Sequence, residues 1–140
     1  MRNVVFASAL VALAACSTHP IAPAPTGPGE YRYVARATSG ATLLVGTLEL
    51  TFPDDSTVTG TWSITWAPGA DTTAEVGPQV GNGTLVGTRS GTTMFLDLNP
   101  GYADHNVFLQ AVAIGAGFEG EWSWSTFAGP RSRGAFAATR

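Results

Sequence analysis

Residues 56–66 read "STVTGTWSITW", and their alternation decides the fold. Val58, Gly60, Trp62, Ile64 and Trp66 fall on one side of an extended chain, with Thr57, Thr59, Thr61, Ser63 and Thr65 on the other. Successive side chains of a strand point to opposite faces, so one face here is dry and the other wet. The dry face carries a glycine two places before a tryptophan, where it weakens a strand and offers nothing to pack. The pattern recurs sixty residues on as "FEGEW" at 118–122.

Working outward, residues 116–126 set Phe118, Gly120, Trp122 and Trp124 against Glu119, Glu121, Ser123 and Ser125. Leu44, Gly46, Leu48, Leu50 and Phe52 oppose Val45, Thr47, Glu49 and Thr51 in the same way. Less regular runs at 31–37, 83–89, 93–98, 106–113 and 132–139 bring the expected strands to eight. The connections are short and turn-like: "PDDS" at 53–56, "SG" at 90–91, "GAG" at 115–117 and "AGPR" at 128–131. The exception is 67–81, "APGADTTAEVGPQVG", long enough to act as a lid.

Short connections make consecutive strands antiparallel hairpins. Eight of them, each with one apolar face, hide that face and both sheet edges by closing into an up-and-down barrel. The expected fold class is therefore an all-β, eight-stranded antiparallel barrel; the rival is a two-sheet sandwich with glycines at bulges. In a barrel, Gly46, Gly60, Gly87, Gly120 and Gly134 let the wall bend and make room for a large neighbour across the lumen. "TGTW" at 59–62, "GFEGEWSW" at 117–124 and "GAFAATR" at 134–140 resemble the calycin type of small barrel, the avidin-like and lipocalin-like proteins. The resemblance implies a ligand-binding barrel. The first strand, "YRYVARA" at 31–37, lacks the lipocalin Gly-x-Trp, so no binding residue is carried over from that family.

The N-terminus supplies an address. "MRNVVFASALVALAAC" combines Arg2, an apolar run over 4–13 and the small residues Ala14 and Ala15, the layout of an export signal too short to span a bilayer. Its end, Leu13-Ala14-Ala15-Cys16, resembles the lipobox of bacterial lipoproteins, and Cys16 is the only cysteine of the chain. The alternative is an ordinary signal peptide with a chance cysteine. The resemblance implies cleavage before Cys16, acylation there and, with Ser17 next, sorting to the outer membrane. Residues 1–15 are then the signal, 16–29 a lipidated cysteine and proline-rich linker, and 30–140 the barrel domain. Prolines at 20, 23, 25 and 28 favour polyproline II, which at ~3.1 Å per residue reaches about 40 Å. With Cys16 lipidated no disulfide can form.

Removal of Arg2 leaves six arginines, no lysine and ten acidic residues, which argues against nucleic acid as a partner. No catalytic constellation, metal site or cofactor is expected. His19 stands alone in the linker; Asp104 and His105 in "GYADHN" read as a polar loop, since a triad needs groups converging from separate segments. Asp97, Asn99 and Asp104 lack calcium-loop spacing and read as a turn. Trp62, Trp66, Trp122 and Trp124 all lie on apolar faces, as packed core or as the lining of a cavity for a small apolar or aromatic ligand. Two functions follow. One is a non-enzymatic, lipid-anchored envelope protein binding such a ligand. The other is a filled barrel whose loops bind a protein, as a hydrolase inhibitor or an envelope partner.

Overall fold

The computed structural model describes residues 27–140; the signal, Cys16 and most of the linker lie outside the described residues. Eight strands follow one another: β1 (Gly29–Ala37), β2 (Thr42–Thr51), β3 (Thr57–Trp66), β4 (Gly81–Ser90), β5 (Thr93–Asp97), β6 (Asn106–Ile114), β7 (Gly117–Thr126) and β8 (Gly129–Thr139). Each pairs antiparallel with its neighbours in sequence, and β8 pairs with β1 to close the barrel. Closure disposes of the sandwich alternative, because β1 has partners on both sides.

The register follows the alternation. Leu44 faces Trp66, Leu48 faces Trp62 and Leu50 faces Gly60 across β2 and β3, all pointing inward. Differences are confined to strand ends. β8 starts at Gly129, earlier than expected, and Pro130 stands opposite Ser125 beside a register shift, a place where a missing ladder donor is tolerated.

The inner faces fill the lumen. Tyr31, Tyr33, Leu44, Leu48, Leu50, Leu96, Leu109, Phe118 and Trp122 are buried to 1 % exposure or less, and Tyr31, Phe118 and Phe136 meet ring against ring at 5.1 and 6.0 Å. Trp62 and Trp122 belong to this packing. Their indole N–H groups donate to the carbonyls of Leu98 (2.7 Å) and Arg36 (2.9 Å), the partners that a buried indole needs.

Gly134 makes room for Trp122 as expected, but Gly60 and Gly120 serve a different contact from the one expected. A Cβ at Gly60 would lie 2.0 Å from the Glu49 carbonyl oxygen, and one at Gly120 1.8 Å from that of Gln110. These glycines let one strand press against the backbone of the next where the wall coils. Room for the indoles comes from Gly83 and Gly134, directly paired with Trp62 and Trp122. A Cβ there would meet the indole at 2.9 and 2.7 Å.

The outer faces carry Thr57, Thr59, Thr61, Arg32, Glu119, Glu121 and Arg133. On these strands polar outside and apolar inside is the reverse of a membrane-spanning barrel, while β4–β6 also expose Val86, Phe95 and Val112.

Candidate functional site

The up-and-down course puts the connections at two ends. The chain enters β1 at Gly29, so one end collects this entry, the turns 52–56, 91–92 and 115–116, and Arg140. It is sealed by cations over rings: the Arg89 guanidinium lies 4.3 Å from the Phe52 ring centre and that of Arg140 4.9 Å from Tyr31. The other end, remote from the entry, collects 38–41, 67–80, 98–105 and 127–128.

At that remote end the long connection covers the barrel and also enters it. Val76 is buried in the core cluster and Gln79 is fully buried. The Tyr33 hydroxyl donates to Gln79 Oε1 at 3.1 Å, and Gln79 Nε2 donates to the Val76 carbonyl at 2.7 Å. Burial pushes the Tyr33 phenol well above its ordinary range, so it stays a donor. Residues 67–80 thus form a plug. Asp71 accepts from the hydroxyl and the N–H of Thr73, which holds its carboxyl below the usual range and keeps it anionic.

The connection 98–105 packs beside the plug. Asp97 Oδ1 accepts from the Asn99 N–H and Oδ2 from Asn106 Nδ2, both at 2.8 Å, and Asn99 Nδ2 donates to the carbonyls of His105 (3.2 Å) and Pro78 (3.4 Å). Asp97 and Asn99 are therefore occupied in building the loop, and Asp104 and His105 are exposed. Among the described residues no group of three or more His, Cys, Asp or Glu gathers about one point.

Two depressions flank this loop. A cleft of about 540 Å³ runs between 78–84 and 98–105, with Trp62 and Leu98 at its base and Val80, Tyr102, Asp104 and His105 around it. A second, of about 460 Å³, is lined by Trp66, Trp124, His105 and residues 73–78 of the plug. His105 sits edge-on to Trp124, ring centres 5.5 Å apart. Hence the four tryptophans divide. Trp62 and Trp122 are core, whereas Trp66 and Trp124 are half-buried at the mouth. Strand parity placed all four inward; depth along the barrel, which separates them, is set by the stagger between strands and by the plug. Val76, Gln79 and Tyr102 were not singled out from the sequence, and only the unusual length of 67–81 pointed toward them.

Comparison with protein-family models, with curated proteins and with solved structures gives no match for this chain.

Proposed function

We propose that the chain is a lipid-anchored protein of the bacterial envelope, attached through Cys16 to the outer membrane, that works without catalysis by recognising a protein partner at the barrel end remote from its anchor. The observation that carries this reading is the division of the molecule into a filled lumen and a decorated end. The lumen is packed with buried apolar side chains, whereas Val80, Tyr102 and Phe127, exposed at 40, 65 and 81 %, project from connections of the remote end; Val86, Phe95 and Val112 are exposed on the wall of β4–β6. Exposed aromatic side chains on loops held by a rigid scaffold are the usual anchors of recognition.

The charge of the surface favours one kind of partner. Connections 67–80 and 98–105 carry Asp71, Glu75 and Asp104 and no arginine or lysine. A partner presenting basic side chains is drawn to this face, and salt weakens the encounter. A photo-crosslinking residue at Tyr102 should capture a defined envelope protein, with yield falling at high salt. The same residue at Asp55, on the opposite end, should not. Equal capture from both positions, or none from Tyr102, refutes the assignment.

A further inference from the structure

The inward-facing tryptophans differ in one respect. Trp62 and Trp122 each give their N–H to a carbonyl, whereas Trp124 Nε1 is buried with no acceptor among the described residues. The residue directly paired with Trp124 across β7 and β8 is Ser132, and its Oγ is likewise buried without a partner. Orphaned polar atoms are few in native proteins and costly. The two stand on facing positions, and Trp124 lines the depression between plug and barrel.

The plug covers Trp124. Gly77 adopts φ +64°, and a Cβ there would lie 2.4 Å from Trp124 Cγ, so this glycine lets the plug lie flat on the indole. The plug is held to the barrel by Val76 and by the Gln79–Tyr33 bond, and its outer side borders the depression lined by Trp66, His105 and Trp124.

We propose that Trp66, Trp124 and Ser132 form a plug-gated site for a small ring-shaped molecule bearing a carbonyl. The ring stacks on the tryptophans, and the carbonyl oxygen accepts from Trp124 Nε1 and the Ser132 hydroxyl. Residues 73–78 lift to admit it. This site adjoins the partner surface proposed above and shares Val80 and Glu75 of the plug with it, whereas Tyr102 and Phe127 take no part in it.

Indole resonances of the full-length chain, labelled with 15N at its tryptophans and assigned by single Trp→Phe variants, provide the test. Titration with benzamide should move the Trp124 N–H signal saturably and leave Trp62 and Trp122 in place, while fluorobenzene, a ring without the acceptor, should not reproduce the shift. Ser132→Ala, which removes one hydroxyl and leaves the core intact, should weaken benzamide roughly tenfold. Gly77→Ala, by forcing the plug off the indole, should speed solvent exchange of the Trp124 N–H and tighten benzamide several-fold. A Trp124 signal that stays still at millimolar benzamide, or moves only together with the other three, overturns the proposal. So does an affinity unchanged in Ser132→Ala.

Discussion

At Gly120 a single hydrogen atom faces the carbonyl oxygen of Gln110, and at Gly60 another faces that of Glu49. In a flat strand, valine at either place would improve strand propensity. Here its Cβ would begin 1.8 or 2.0 Å from a backbone oxygen, which only a shift of the strand relieves. Gly60→Val and Gly120→Val should each lower stability by on the order of 1–3 kcal/mol, read from urea midpoints; an unchanged or higher midpoint rules out the close approach. A second residue acts through its charge. Asp54 accepts from the hydroxyl of Thr57 and the N–H groups of Ser56 and Thr57, and these bonds hold its carboxyl far below the ordinary range. A carboxyl depressed in the folded state stabilises above its unfolded value, near pH 4, and that contribution is lost as pH falls through the folded value. Asp54→Asn should therefore flatten the decline of Tm below about pH 4. Melts with the same acid slope in both proteins would assign the loss of stability to other groups.

Among the elements, the plug separates what sequence periodicity conveys from what it does not. β3 and β7 were legible because the alternation over 57–66 and 118–125 fixes which side chains face inward, and the short Gly-, Pro- and Asp-rich connections between strands left little freedom in pairing order. Residues 67–80 have no such period. Val76 and Gln79 are buried through contacts with Tyr33 and the core, far away in sequence, and nothing local in "AEVGPQV" signals that. The same limit applies to the tryptophans. Inward parity is a local property, but whether an inward residue sits in the lumen or at the mouth depends on stagger accumulated around the closed sheet. The plug makes its own prediction. Val76→Ala removes two methyl groups from the core cluster, for a loss of about 1–3 kcal/mol. Because the plug bears on the strands without joining their ladders, the loss should appear chiefly as local opening. Amide exchange across 71–80 should accelerate while β1 and β7 keep their protection. Uniform acceleration everywhere would mean that Val76 belongs to the global core instead.

At the scale of the whole molecule, the distribution of polarity bears on the lipid anchor proposed at Cys16. β1, β3, β7 and β8 present threonine, serine, arginine or glutamate outward, and burying such a surface in lipid leaves charged groups without water, whereas β4–β6 also expose Val86, Phe95 and Val112. On the proposed reading, retention rests on the acyl chains at Cys16. One chain gives marginal, reversible binding, whereas two or more hold firmly at about 0.8 kcal/mol per buried CH2. Cys16→Ser should consequently abolish incorporation of a fatty-acid analogue. The variant should leave the membrane as a folded, aqueous species or remain as an unprocessed precursor, distinguishable by mass. The released form should keep the indole signals of Trp62 and Trp122, since their acceptors at Leu98 and Arg36 lie within the barrel. Labelling that persists in Cys16→Ser contradicts the lipid anchor outright. Loss of labelling with the processed barrel still held by the membrane would instead point to a partner in the envelope. Releasing that protein with high salt would then connect the retention to the acidic connections 67–80 and 98–105 at the remote end.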